Sequence, residues 1–380
     1  MKNIRLATLF SGIGSPEQGA SRVYEEVETV FACEFDKFAR QSYKAIYDID
    51  DEHFHKDVNG MDATQYRDKV DILIGGSPCQ SFSIAGLRKG TDEQRGQLIY
   101  QYIRVVDECR PEVIIYENVK GIMSIDNGNT IKEFVQALRD IGYYCHYEVV
   151  NTKHYGVPQS RERLFLVGFL DHEVYHRFTM AERIPLTKKL KDVLEDDVDE
   201  KYYLSDKALI GYKTHTDRMQ ERGNGFKFEP TEGNCIASSI TTRAGSRPDD
   251  NFIKVPSATK QEPKIVASRG RNKDNPSDRT PGAEVEQRLE VNENGTSNAI
   301  TTVQKDNYVL EPSFRIRKLT TKEVWRLQDF PDEAHDKAKE IGVSNSQLYK
   351  QAGNSMSVNI LEMIFRQIEK ANIGESGGLF

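Results

Sequence analysis

A chain of 380 residues, 37% hydrophobic and 29% charged, can bury one large core or two smaller ones. Its formal net charge of −7 lacks the overall basicity that alone would announce a nucleic-acid binder, so any such role must rest on local charge. No apolar run approaches the roughly 18 residues that cross a bilayer, and five cysteines (33, 79, 109, 145 and 235) without a CxxC pair argue against a disulfide framework or structural zinc.

Met1-Lys2-Asn3-Ile4-Arg5 runs straight into an apolar pattern without the segments of a signal peptide, so a cytoplasmic protein is expected. Ile4 to Phe10 reads as a strand, followed by the glycine turn Ser11-Gly12-Ile13-Gly14-Ser15 and a helix starting near Pro16. Thr29 to Cys33 reads as a second strand that ends in Glu34-Phe35-Asp36, with a helix over Lys37 to Ile46. Asp71 to Ile74 is a short buried strand running into Gly75-Gly76-Ser77-Pro78-Cys79-Gln80-Ser81-Phe82-Ser83. A helix over Leu98 to Cys109 precedes the strand Val113 to Tyr116, which ends in Glu117-Asn118-Val119. A helix over Thr130 to Asp140 and strands at Tyr144 to Asn151 and Leu164 to Phe169 complete the series. This alternation predicts an α/β domain with a parallel, doubly wound sheet.

Between 172 and 315 the periodicity weakens and polar residues and glycine dominate, which predicts an irregular, β-rich insert. It contains an internal echo: Ser239-Ile240-Thr241-Thr242-Arg243 with Asp250-Asn251-Phe252-Ile253, then Ala299-Ile300-Thr301-Thr302-Val303 with Asp306-Asn307-Tyr308-Val309. Two similar hairpins and a true duplication explain the echo equally well. After 315 a helix is expected over Leu319 to Leu327 with Thr320 as its N-cap, then a closing helix from Val358 to about Lys370. The expected organisation is one α/β domain, 1–171 and 316–380, interrupted by the insert at 172–315.

The residues at the strand ends suggest chemistry. The glycine turn lets backbone approach a ligand, Glu34 suits ribose hydroxyls, and Asp57-Val58 can meet an adenine edge. No Walker-type lysine is present, so adenosine without a phosphate chain fits better than a triphosphate. Cys79 stands on a loop leaving a strand's carboxyl end, where open α/β sheets place their chemistry. A thiolate there has two uses. Acyl transfer needs a histidine base, for which His154 is the nearest candidate; conjugate addition to C6 of a pyrimidine needs a proton donor at N3 and a cation at O2. Glu117 and Arg163 have the types for the second pair of tasks, and a donating Glu requires a raised pKa.

Taken in order, the glycine loop Phe10 to Ser15, Glu34-Phe35-Asp36, Asp57-Val58, Pro78-Cys79-Gln80, Arg95-Gly96-Gln97-Leu98, Glu117-Asn118-Val119, Gln159-Ser160-Arg161-Glu162-Arg163 and Gly353-Asn354-Ser355-Met356 resemble the cytosine-C5 DNA methyltransferases over nearly the whole chain. The resemblance implies a Rossmann-like S-adenosylmethionine-dependent domain with an inserted target-recognition domain at 172–315. It implies Cys79 as the nucleophile on C6, Glu117 at N3 and Arg163 at O2, with Arg161 and Gln159 supporting the site. The cofactor pocket would be lined by Phe10, Gly12, Gly14, Glu34, Phe35, Asp57, Val58, Pro78, Leu98, Asn354 and Met356. DNA contacts are expected from Gln80, Ser83, Thr301, Arg315 and Arg317, the last two in a basic stretch running to Arg326. Arg317-Lys318-Leu319 and Trp325-Arg326-Leu327 match the family's helix before its last motif.

The implied activity is S-adenosylmethionine-dependent methylation of C5 of a cytosine flipped out of a short duplex DNA sequence. The implied partners are duplex DNA and a restriction endonuclease of the same site; a monomer without metal is expected. A transfer-RNA methyltransferase on the same scaffold and a catalytically silent DNA-binding protein are the rival readings. Two departures stand out: the family's usual Asp is Thr8 here, and its usual Val is Met356.

Overall fold

The structure, a computed structural model, describes residues 3–78, 98–223, 227–256, 264–272, 285–291, 308–310 and 314–373. Its first part carries β1 (Ile4–Leu9), α1 (Ser15–Ala20), β2 (Val27–Cys33), α2 (Lys37–Ile46), β3 (Phe54–His55), β4 (Ile72–Gly75), α3 (Leu98–Cys109), β5 (Val113–Val119), α4 (Asn129–Asp140), β6 (Tyr144–Asn151), β7 (Gln159–Ser160) and β8 (Glu162–Phe169). Seven of these strands form one sheet in the order β3-β2-β1-β4-β5-β8-β6.

The strand residues explain why both faces are covered. Ala7, Leu9, Leu73, Ile114, Tyr116, Leu164 and Leu166 point to one side, where α3 and α4 supply Tyr102, Val105, Val106, Phe134 and Leu138. Their neighbours Ile4, Leu6, Ile72, Ile74, Val113, Ile115, Phe165 and Val167 point to the other, against Ala20 of α1 and a distant helix's Ile360, Leu361, Ile364 and Phe365. Period-two alternation with apolar residues on both faces produces unbroken apolar runs, the pattern of a doubly covered sheet. Asp36 fixes the start of α2, its side chain accepting from the backbone N–H of Phe38 and Ala39 at 2.9 Å each.

One expectation about the sheet is corrected. β1, β2, β3, β4 and β5 run parallel, but β8 is antiparallel to both β5 and β6, so the sheet is mixed. An apolar run such as Leu164-Phe165-Leu166-Val167 has no polarity of its own to reveal strand direction.

Beyond residue 171 come α5 (His172–Arg177), α6 (Asp206–Glu221), β9 (Ala237–Ser238), β10 (Phe252–Pro256), β11 (Lys264–Asn272), β12 (Val285–Val291), β13 (Tyr308–Leu310) and β14 (Phe314–Lys318). Strands β10 and β14 pair antiparallel, as do β12-β11-β13, which agrees with a β-rich character for this stretch. Helix α6 was not foreseen, because its apolar residues gather at its start and leave most of it polar. Ser205 caps it, and Tyr212 anchors it in a ring cluster with Phe228 and Phe252.

The chain closes with α7 (Thr321–Arg326), α8 (Asp332–Glu340), α9 (Asn345–Asn354) and α10 (Val358–Ile373). Thr320 and Glu323 form a reciprocal capping box on α7, so the expected N-cap is present. Helix α10 is the distant helix that covers the sheet beside α1, returning the end of the chain to the first half's core. Among the described residues no helix is long and apolar enough to cross a membrane.

Candidate active site

Strands β5 and β8 bring Glu117 and Arg163 together at one end of the sheet, with the end of β4 beside them. Glu117, near the carboxyl end of β5, receives Arg163 Nε at 3.1 Å on its Oε1. In the β5–β8 register Glu117 faces Phe165 and Val119 faces Arg163, so acid and arginine are diagonal neighbours on one face. Gly76, just past β4, abuts both that acid and Met356: a Cβ added there would sit 3.2 Å from Glu117 Oε2 and 3.0 Å from Met356 Cε. Burial pushes the Glu117 carboxyl above its ordinary range, against the pull of Arg163 and Arg161.

The opposite face of β5 holds the loop that leads to residue 79. Asn118 Nδ2 donates to Ser77 O at 3.1 Å and to the Tyr116 hydroxyl at 2.9 Å. The Ser77 and Tyr116 hydroxyls are 2.6 Å apart, and Tyr102 donates to Ile115 O at 3.0 Å. Residues 116 to 118 thus divide by alternation: Glu117 faces the site, while Tyr116 and Asn118 tether the backbone entering Pro78. Sequence reasoning singled out Glu117 and gave no task to Tyr116, Asn118 or Ser77, because an apolar strand hides which polar ends will meet.

Gln159 and Arg161 are buried, and Arg161 lies close enough to Glu117 and Arg163 to act on both charges. Arg161 is 2% exposed and donates to Ile240 O, Gly353 O and Ser355 O at 3.1, 3.0 and 2.9 Å. Burial, with Arg163 nearby, lowers its pKa to about 9, which leaves it a cation at neutral pH. Gln159 completes the clamp, donating to Leu327 O at 2.6 Å and accepting from Ile240 N at 3.0 Å. Both arms of Ile240's peptide neighbourhood are therefore held from β7 and its flank. Gly353 permits the approach: a Cβ there would lie 2.5 Å from Thr242 N.

The residues expected at the cofactor have the following local settings. Phe10, Gly12 and Gly14 all have positive φ, at 55°, 58° and 80°, so the turn after β1 is left-handed even at a phenylalanine. Glu34 bridges this turn to the next, accepting from Gly12 N at 2.8 Å and Asp36 N at 2.7 Å. A Cβ on Gly12 would meet nothing within 4 Å, so the space over the turn is open. The Phe35 ring is 69% exposed, with the Lys56 ammonium 6.0 Å from its centre. Asp57 accepts from Asn59 N at 3.0 Å, and Val58 is buried beneath it. Leu98 is half-buried at the start of α3, while Pro78 and Asn354 are exposed. The Ser15 and Ser355 hydroxyls, 2.6 Å apart, join the glycine turn to the segment that carries Met356.

The basic stretch after 314 is corrected in part. Arg317 is 2% exposed, and its guanidinium forks onto Glu323 with two 2.8 Å bonds, so its charge is committed inside the protein and not offered to DNA. Arg326 pairs with Asp332 and Lys322 with Asp336. Arg315 stays at the surface, paired with Glu200 and stacked 3.8 Å over Tyr203. Three of these acids stand outside the stretch, which is why it reads as an unopposed cation cluster in sequence. Cys79, Gln80, Ser83 and Thr301 lie outside the described residues.

Comparison with known proteins gives concordant results. The family model for C-5 cytosine-specific DNA methylases matches residues 4–370. The chain is similar to the orphan methyltransferase M.SPRI of Bacillus phage SPR, at 32% identity over 97% of this chain and 98% of that one. It is similar to the type II methyltransferase M.NlaX of Neisseria lactamica, at 31% identity over 97% and 96%. Among solved structures, the Dnmt2 methyltransferase of S. pombe superposes with a TM-score of 0.63 at 16% identity, covering 97% and 98%. A Spodoptera frugiperda DNMT2 mutant gives 0.65 at 17%, covering 96% and 99%. At those identities the superpositions speak for the fold.

Proposed function

This chain belongs to the C-5 cytosine-specific DNA methylases and is a DNA cytosine-5 methyltransferase, and from that premise we propose a covalent mechanism through Cys79. The observation that supports it is the Glu117–Arg163 pair, set beside a tethered loop that feeds residue 79. The Cys79 thiolate adds to C6 of a cytosine turned out of the duplex, forming a C–S bond and shifting electrons toward C5. Glu117, whose carboxyl burial shifts toward the protonated form, donates to N3 as the ring loses aromaticity. Arg163 lies against the O2 edge and also bounds how far Glu117's pKa rises.

The proposed cofactor is S-adenosylmethionine, which when bound supplies an electrophilic methyl group. The open space over Gly12, the Glu34 carboxylate beneath it and the exposed Phe35 ring fit an adenosine: acid to ribose, ring to purine. Phe10, Gly14, Asp57, Val58, Pro78, Leu98, Asn354 and Met356 complete the proposed pocket. After transfer, loss of the C5 proton to a base expels the thiolate, and N3 returns its proton to Glu117, which restores the ring.

We assign 1–171 and 316–380 to the catalytic domain and 172–315 to target recognition, with Gln80, Ser83, Thr301 and Arg315 on the DNA. A cytoplasmic monomer, paired with an endonuclease of the same site, is the proposed setting. The mechanism is tested with a duplex carrying 5-fluorocytosine at the target, whose fluorine blocks the last elimination. A covalent protein–DNA adduct mapped to residue 79 is expected. No adduct with wild type, or an equal one with Cys79→Ala, overturns it.

A further inference from the structure

Thr8 is the penultimate residue of β1, and its hydroxyl is fully buried yet fully employed. It donates to Glu17 Oε1 at 2.9 Å and sits 2.8 Å from the Ser11 hydroxyl. Ser11 in turn accepts from Cys33 N at 3.0 Å, immediately before Glu34. Tyr43 of α2 donates to the same Glu17 oxygen at 2.7 Å. Every proton in this chain can point one way: Cys33 N–H to Ser11, Ser11 to Thr8, Thr8 to Glu17. The Ser11 hydroxyl also has Thr8 O and Cys33 O at 3.2 Å, so Glu17 is the acceptor on which the Thr8 hydroxyl depends.

Packing alone does not account for an acid there. Glu17 is 3% exposed, and its Oε2 has no hydrogen-bond partner among the described residues. A leucine or methionine would fill similar space without an orphaned oxygen. The Glu17 carboxyl reaches from α1 to the end of β1, where it holds Thr8 directly and Ser11 through Thr8.

We propose that Glu17 is the positioning acid of the cofactor turn, a carboxylate delivered from α1 that orients Thr8 and Ser11 and so fixes residues 10–14 and the Glu34 backbone for S-adenosylmethionine. This rests on the reading of that turn as the cofactor site.

The test measures S-adenosylmethionine binding by calorimetry and steady-state methylation for four variants. Glu17→Gln keeps one acceptor oxygen but buries an amide N–H where Oε2 has no partner, and should raise Kd and KM for the cofactor about tenfold. Its kcat at saturation should stay within about twofold, because Glu117 and Arg163 are untouched. Tyr43→Phe removes only the α2 arm and should leave KM nearly unchanged. Thr8→Asp alone puts two carboxylates face to face and should weaken binding. Thr8→Asp with Glu17→Gln moves the acid to the strand, where the new amide can donate to it, and should restore binding to within about threefold of wild type. Should Glu17→Gln fail to fold, Ser11→Ala breaks the same chain at its far end and carries the same expectation. Wild-type affinity in Glu17→Gln, or no rescue in the double variant, overturns the proposal. A wild-type protein that methylates but shows no cofactor binding dependent on residues 10–14 instead removes the pocket reading.

Discussion

Arg163 reaches Glu117 at 3.1 Å because β8 runs antiparallel to β5. Arg163 stands at the start of its strand and Glu117 near the end of its own. In a parallel pair with aligned starts Arg163 would lie beside Ile114, about three residues or roughly 10 Å along the sheet from Glu117. The one strand that breaks the parallel pattern is therefore the one that builds the acid–arginine pair.

Arg163→Ala should lower the single-turnover methylation rate by about 10²- to 10³-fold, the usual effect of losing one preorganised charge donor. Arg163→Lys keeps a charge but loses the planar fork and should fall between. Rapid-quench measurement with saturating duplex checks both. A lysine variant equal to wild type would show that charge alone is needed.

Glu117 supplies a pH signature. Burial raises its pKa, so it keeps a proton where an ordinary carboxyl near 4.5 has released it. The donor form then persists above the usual carboxylate range, and the single-turnover rate should decline only as pH passes the raised value. Glu117→Gln should abolish that limb and slow the step by about 10²- to 10⁴-fold. The stability consequence has the same sign. A folded state that holds a proton the unfolded chain has lost is stabilised at low pH, and this contribution disappears as pH rises from the ordinary range through the raised pKa. Urea midpoints for wild type and Glu117→Gln, compared across pH, should diverge over that window.

Much of this was legible in sequence, for identifiable reasons. The bounds of α2, α3 and β6 follow from the Asp36 cap and from apolar spacing, and the structure places them where the pattern does. Glu117 and Arg163 were legible as types at strand borders. The direction of β8 was not, since an apolar run reads alike both ways. Nor were the pairings of Arg315, Lys322 and Arg326, whose acids at Glu200, Asp336 and Asp332 belong to other elements. Helices α6 and α8 escaped because each is largely polar around its circumference. The role of Arg161 was the least accessible, because it bonds to carbonyls 79, 192 and 194 residues away.

Arg161→Leu should destabilise the protein by about 3–5 kcal/mol, since three buried carbonyls lose a charged donor and the segments they belong to lose their tie. Equilibrium urea unfolding checks this. The affected carbonyls belong to residues 240, 353 and 355, so hydrogen exchange should accelerate there before it does in β1 or β5. Uniform acceleration would mean that Arg161 holds the core and not this junction.

Gly353→Ala sets two effects against each other. Position 353 lies within α9, where Ala should gain about 1 kcal/mol over Gly as a helix former. Its Cβ, however, would lie 2.5 Å from Thr242 N and 2.6 Å from Thr241 C, and backbone cannot rotate away. Overpacking of this kind costs about 1–3 kcal/mol, so the variant should be no more stable than wild type and should push out the segment at 241–242. That segment is also gripped by Gln159 and Arg161 through Ile240. A displaced segment should therefore raise KM for DNA more than KM for the cofactor, because the turn at 10–14 is also held through Glu34 and Thr8. Steady-state titrations in each substrate separate the two. A variant more stable than wild type, with both KM values unchanged, would show that residues 241–242 do not rest against α9.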